Sequence, residues 1–193
     1  MWLNRLLVVG LLVTSAAPRQ GSLTDQQVAR AIERADKLKD PYVCVGRTAA
    51  AEFSVCIQGP EQRIGLAAAL AKRAHRRFRP ADASADLKAL TWTIVVRPNQ
   101  PALVDGRSVR TPFAEELTLQ SRGRVEVSVR PLTAARIPVT WDNAVGVTLK
   151  GQGLTASFDA STLPAGDLDV VITTEGGTER RYGLSRSARA QIR

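Results

Sequence analysis

Tyr42 to Gln58 reads YVCVGRTAAAEFSVCIQ, and folding it back on itself about Ala50 sets Cys44 opposite Cys56. The same fold-back places Val43 opposite Ile57, Val45 opposite Val55 and Arg47 opposite Phe53. Successive side chains of a strand point to opposite faces. One face therefore collects Val43, Val45, Phe53, Val55 and Ile57, and the other carries Tyr42, Cys44, Ser54, Cys56 and Gln58. One register satisfies both the apolar alternation and the cysteine pair. The stretch reads as a disulfide-clipped β-hairpin whose apolar face calls for a covering helix.

Helical patterns flank this hairpin. Thr24 and Gln27 fit a capping box, with Leu23 and Val28 at the positions of a hydrophobic staple. Val28, Ala31, Ile32, Ala35 and Leu38 recur at helical spacing. Lys37 and Lys39 suit the negative end of the helix dipole, and Asp40-Pro41 ends the helix. A second helix starts at Gly59-Pro60-Glu61, with proline at its first position and an acid in its first turn. Ile64, Ala67, Ala68, Ala71 and Phe78 form its apolar side, the alanines small enough to approach the hairpin's valine face. Lys72, Arg73, His75, Arg76, Arg77 and Arg79 end it before Pro80, the densest positive cluster in the chain. As helix-end charges they neutralise a dipole. As a site, Lys72, Arg73, Arg76, Arg77 and Arg79 are the anion-binding candidates. After a polar link from Ala81 to Lys88, Leu90, Trp92, Ile94 and Val96 alternate along LTWTIVVR as a half-buried strand. The first unit, 23–97, reads αββαβ.

Pro98-Asn99-Gln100-Pro101 breaks the composition and marks a boundary. Beyond it, 102–186 holds strand-like runs between turn signals and no helical pattern. Ala102 to Val104 precede the hairpin dipeptide Asp105-Gly106. Further runs fall at 116–120, 124–130, 137–141, 145–149, 154–158, 168–174 and 180–184, the last two joined through Glu175-Gly176-Gly177. Short strands with Gly and Pro turns indicate an all-β sandwich or barrel. Segment 187–193 reads as a flexible basic tail. The expected fold class is α+β: a small αββαβ unit followed by a sandwich.

Two stretches resemble known families. Ser157 to Ser185, SFDASTLPAGDLDVVITTEGGTERRYGLS, resembles the closing strands of immunoglobulin-like sandwiches in secreted and cell-surface proteins. Leu163-Pro164-Ala165-Gly166 matches the corner, and Leu168, Val170 and Ile172 match the inward face. Leu168 stands where a corner tyrosine would be expected, and the domain lacks cysteine, which excludes the antibody type. AALAKRAHRRFRPA, ahead of the 90–97 strand, resembles the C-terminal domain of TonB-type proteins, where a helix ending in an aromatic-basic-Pro sequence precedes the last strand. Both resemblances imply a fold and no function.

The first residues bear on compartment. Arg5 closes a short positive head, Leu6 to Val13 (LLVVGLLV) is apolar, and Thr14 to Ala17 are small, the three parts of a secretory signal. The apolar run is too short for a bilayer, which takes about 20 residues. Segment 1–16 is expected to be a signal peptide cleaved after Ala16, leaving a secreted or periplasmic chain with no transmembrane segment. Export predicts that Cys44 and Cys56, the only cysteines, are bonded. Closing so short a loop is worth about 3 kcal/mol. The formal charge of +9 has two readings: attraction of an exported protein to anionic lipid or polysaccharide, or Arg-rich and Ala-rich usage that follows from a GC-rich genome and says nothing about partners, the second slightly favoured. Export, rather than charge, disfavours nucleic acid.

No GxSxG, HExxH, phosphate-loop or dinucleotide pattern occurs. His75, the single histidine, sits among arginines whose field lowers its value as a base. Two cysteines and one histidine cannot complete a four-ligand zinc site without carboxylates. Gly151 and Gly153 read as a turn. Glu115, Glu116, Asp142, Asp159, Asp167 and Asp169 fall on predicted turns, where a glycosidase-type carboxylate pair could hide. Asp167-x-Asp169 could bind calcium weakly. Trp92 and Trp141 read as core residues. No catalytic residue, metal site or cofactor is assigned. The leading expectation is an exported, non-enzymatic binding or assembly module, its partner an envelope protein or an anionic polymer or lipid surface. The alternative is an envelope-polymer hydrolase using a carboxylate pair.

Overall fold

A computed structural model of the chain describes residues 21–35, 40–48, 51–99, 103–104, 107–108, 113–123, 126–142 and 148–192. The expected signal peptide, 1–16, lies outside them. The hairpin forms in the register read above. Strand β1 (Val43–Val45) pairs antiparallel with β2 (Phe53–Gln58), Val43 opposite Ile57, Cys44 opposite Cys56 and Val45 opposite Val55. Cys44 and Cys56 are disulfide-bonded, their Cα atoms 4.1 Å apart. The ladder ends before Arg47, so the expected Arg47–Phe53 pair is not made. Gly46 turns the chain with φ of +70°, and a Cβ there would lie 2.5 Å from the Phe53 carbonyl oxygen.

Nine further strands follow: β3 (Thr91–Pro98), β4 (Leu103–Val104), β5 (Arg107–Ser108), β6 (Ala114–Ser121), β7 (Ser128–Val129), β8 (Thr133–Asp142), β9 (Thr148–Asp159), β10 (Leu168–Thr174) and β11 (Glu179–Leu184). They build one sheet in the order β1-β2-β3-β9-β8 and a second in the order β11-β10-β6-β7. Strands β4 and β5 pair on either side of Asp105-Gly106, the dipeptide expected to turn a hairpin. Phe53, Val55, Ile57, Trp92, Ile94 and Val96 of the first sheet bury against Leu117, Leu119, Leu168, Val170, Ile172 and Leu184 of the second. The valine face of the hairpin is thus covered by a sheet, not by a helix as expected. The second sheet offers branched and aliphatic side chains in place of alanines, and each removes more apolar area from water.

Segments 23–97 and 102–186, expected as separate units, share this sheet and this core. Strand β3 pairs with β9 from Thr91 opposite Asp159 to Val96 opposite Leu154. Strand β3 runs through Pro98, which stands opposite Phe53 of β2, and its other edge accepts β9. Strand β9 runs through Gly151 and Gly153, where a turn between two strands was expected. A Cβ on Gly153 would lie 2.5 Å from the Val96 carbonyl oxygen, so glycine here serves close strand approach. Of the run expected at 124–130, the described residues 126–130 hold the two-residue strand β7.

Helix α1 (Asp25–Arg34) begins with the expected capping box of Thr24 and Gln27, and Leu23 and Val28 bury together beside it. Helix α2 (Pro60–Arg73) starts with proline as read. The two helices pack on each other around Leu23, Val28, Ala31, Ile64 and Ala83, with Phe78, Leu87 and Leu90 against them. The link expected as plain coil holds a 3-10 turn (Pro80–Asp82) and a short α3 (Ala85–Lys88) capped by Ser84. Arg63 carries α2 to the sheet. Its Nη1 donates to Thr91 Oγ1 (2.5 Å) and Thr93 Oγ1 (3.2 Å), and its Nη2 to the Ala89 carbonyl (2.6 Å). Thr91 and Thr93 alternate with Trp92 and Ile94, so α2 meets the face opposite the valines. The tail expected to be flexible docks: α4 (Arg186–Arg189) leads to Ile192, buried in the intersheet core, and Gln62 Nε2 donates to the Gln191 carbonyl (3.1 Å).

Candidate functional site

The basic cluster is positioned by the way α2 stops. His75 turns into the left-handed region with φ of 55°. Its N–H donates to the Lys72 carbonyl (2.9 Å), and the Arg76 N–H donates to the Ala71 carbonyl (2.8 Å). This double closure satisfies the last carbonyls of a helix whose next residue is left-handed. The single histidine is a helix stop. Arg76, Arg77 and Arg79, expected to continue the helix, lie on the segment beyond it.

Lys72, Arg76 and Arg77 line a depression of about 240 Å³ between α1 and α2, walled by Ile32, Ala35, Ala68, Ala69 and Phe78. Arg73 and Arg79 are not part of its lining. All five cations are exposed. Among the described residues, Arg73, Arg76 and Arg77 form no ion pair. The Arg79 N–H donates to Asp82 Oδ2 (2.8 Å), which starts the 3-10 turn. Unpaired guanidiniums beside a helix end present several donors in fixed forks, the geometry that takes carboxylate, sulfate or phosphate oxygens.

A second depression, about 440 Å³, lies on the outer face of the first sheet and is lined by Tyr42, Arg47, Ser54, Cys56, Val95, Arg97 and Asn99. Arg47 Nη2 lies 2.9 Å from Cys44 Sγ and 3.3 Å from Asp40 Oδ2. Asn99 Nδ2 donates to the carbonyls of Gly46, Thr48 and Ala51, holding the hairpin loop. Sequence reading placed Tyr42, Ser54 and Cys56 on this face but missed Arg47 and Arg97. Alternation from Val95 could have found Arg97; the approach of Arg47 to the sulfur needed the turn at Gly46.

Where the hairpin meets β11 of the second sheet, Arg180 grips Glu52 through Nε to Oε2 (2.6 Å) and Nη2 to Oε1 (3.0 Å). That hydrogen bonding holds the Glu52 carboxyl below its ordinary pKa, against the opposing effect of burial. The Phe53 N–H donates to Tyr182 Oη (3.0 Å), and burial pushes the Tyr182 phenol up. Burial also lowers the Arg63 guanidinium from its usual value, partly offset by Asp86.

Three of the scattered carboxylates have structural partners. Asp159 Oδ1 accepts from the Ser161 N–H (2.9 Å) and hydroxyl (2.6 Å). Asp167 Oδ1 accepts from the Arg186 N–H (2.7 Å), and Asp169 Oδ1 from Arg122 Nε (2.6 Å). Asp167 and Asp169 thus meet a backbone donor and a guanidinium, as charged groups at strand ends do. Among the described residues, no group of three or more His, Cys, Asp or Glu could hold a metal ion. Trp92 is a core residue, with the Arg189 guanidinium 5.4 Å from its ring centroid. Trp141 stands opposite Leu149 in the β8–β9 ladder.

The fold is a two-sheet antiparallel β arrangement with a disulfide-clipped edge and a helical cap. The bond between Cys44 and Cys56 fits an oxidising compartment. No helix among the described residues is long and apolar enough to cross a membrane. No family model matches the chain, and neither a curated protein nor a solved structure matches it.

Proposed function

We propose that this chain is an exported, non-enzymatic binding or assembly module that holds anionic envelope material on Lys72, Arg73, Arg76, Arg77 and Arg79. The observation that carries this reading is the convergence of Lys72, Arg76 and Arg77 on one depression, with no ion pair made by Arg73, Arg76 or Arg77 among the described residues. Cations placed only for solubility tend to alternate with acids; these are gathered at one helix end. The leader-like first residues and the single disulfide support export.

The strand order supports an immunoglobulin-like reading of the scaffold. The order β2-β3-β9-β8 facing β11-β10-β6-β7 corresponds to an A-B-E-D sheet against G-F-C-C′. On this reading the two helices fall before the A strand and between A and B, and β1 is an added edge strand. Sandwiches of this kind serve many ligands, so the scaffold supports binding and names no partner.

Chromatography of the mature protein on immobilised heparin tests the anionic part. Replacing Arg73, Arg76 and Arg77 by alanine is expected to weaken retention about a hundredfold at low salt, at about 1 kcal/mol for each charge near an anionic surface. Retention unchanged by the triple substitution would overturn the reading.

A further inference from the structure

We infer that the depression on the outer face of the first sheet is a thiol–disulfide exchange site that takes a small anionic thiol. Cys44 and Cys56 are only partly buried, and Cys56 lines the depression. Arg47 and Arg97 stand at the same opening. Arg97 is exposed and forms no ion pair among the described residues. Arg47 lies against Cys44 Sγ at 2.9 Å and is held there by Asp40 at 3.3 Å, the one carboxylate paired with it. Val95 supplies an apolar patch, and the hydroxyls of Tyr42 and Ser54 supply polar contacts. The site therefore pairs an accessible disulfide with cationic groups that favour an incoming anion.

The chemistry is asymmetric. The thiolate of the incoming molecule attacks Cys56 Sγ, a new S–S bond forms there, and the Cys44–Cys56 bond breaks. Its electron pair leaves on Cys44 Sγ, where the Arg47 guanidinium stabilises the thiolate; a leaving thiol of lowered pKa departs faster. A second thiolate of the same class then attacks the incoming sulfur of the mixed disulfide. That step releases Cys56 as a thiolate and yields the small-molecule disulfide. The two small thiols are oxidised by two electrons in all, the protein disulfide is reduced, and the protons given up by the small thiols return to the protein sulfurs. Strand β1 is the edge of its sheet and pairs through only three residues, so opening the bond removes the cross-link that adds to the hairpin loop in holding it to β2.

The oxidised full-length mature protein can be treated with 2-mercaptoethanesulfonate, 2-mercaptoethanol and cysteamine, which are anionic, neutral and cationic thiols of similar size. Reactions are quenched with N-ethylmaleimide and read by intact-mass and peptide mass spectrometry. Rates expressed per thiolate should fall in that order, the anionic thiol leading the neutral one by about fivefold, the factor one close charge pair gives in water. The first adduct should sit on Cys56. Arg47→Gln and Arg97→Gln, both at exposed positions, should flatten the charge order, with an unchanged circular dichroism spectrum reporting intact folding. Equal rates for the three thiols, a first adduct on Cys44, or no reaction under native conditions would each overturn the inference. The charge series on the unaltered protein decides the matter even if a variant folds poorly.

Discussion

The intersheet core and the helical cap are held by different forces. Between the sheets, Phe53, Ile57, Ile94, Phe158, Leu168 and Ile172 are fully buried against partners far away in sequence. The cap rests on a smaller cluster of Leu23, Val28, Ala31, Ile64 and Ala83, two of them alanines. Its attachment to the sheet is polar: Arg63 reaches two threonine hydroxyls and a carbonyl, and Gln62 reaches the Gln191 carbonyl. Apolar burial is non-directional and scales with area, so the sandwich sets global stability. Hydrogen bonds fix orientation for a modest net gain, so the cap holds a basic surface in place without adding much core. The cap is the part that can loosen while the sandwich stays folded.

The comparison breaks most visibly in the core. Phe158→Ala should cost about 3–5 kcal/mol through lost burial and the cavity left behind, read as a shift of the whole urea transition. A change confined to one sheet would refute a shared core. The seam between the regions is tested next. Arg63→Met removes the guanidinium from the Thr91 and Thr93 hydroxyls and takes one of two donors from the Ala89 carbonyl, and should cost about 1–3 kcal/mol. Hydrogen exchange should then show α2 amides losing protection while β3 and β10 keep theirs; uniform loss would mean that cap and sandwich unfold as one.

The Glu52–Arg180 pair sharpens the picture where the hairpin meets β11. Because Arg180 lowers the Glu52 pKa in the folded state, its contribution is present in full above the ordinary glutamate value. It is lost as pH falls through the lower folded value. Both side chains are about two-fifths exposed, so the effect is limited to about 0.2–1 kcal/mol. Glu52→Gln should flatten stability against pH in that acid window; an unaltered profile would remove the pair from the account. The smallest effect concerns the helix stop. His75→Gly relieves a left-handed side chain and should raise the melting temperature by the equivalent of roughly 0.5 kcal/mol, the strain relieved less the extra freedom of the unfolded chain. A lower melting temperature would show that the imidazole makes a contact worth more than that strain.

Much of the local structure was legible. The register of Cys44 and Cys56, the capping box at Thr24, proline opening α2 and the alternation in β3 and β10 are all short-range patterns. The candidate site was only half legible. Five cations were named from their spacing, but the left-handed turn at His75 decided that Lys72, Arg76 and Arg77 meet while Arg73 and Arg79 do not. The disulfide depression was missed because Arg47 and Arg97 lie far apart in the chain and carry no shared motif.

By itself, the order of residues determined which side chains share a face, where helices begin, and which two sulfurs could bond. These follow from the two-residue repeat of strands and the first-turn chemistry of helices, which act over a few positions. Only the tertiary structure decided what each face would meet. The valine face found the second sheet, α2 crossed to the other side through Arg63, and β3 paired with β9 from beyond the expected boundary. Apolar faces have no address: any sufficiently large complementary surface satisfies them, and the winner is set by the total area the whole chain can bury.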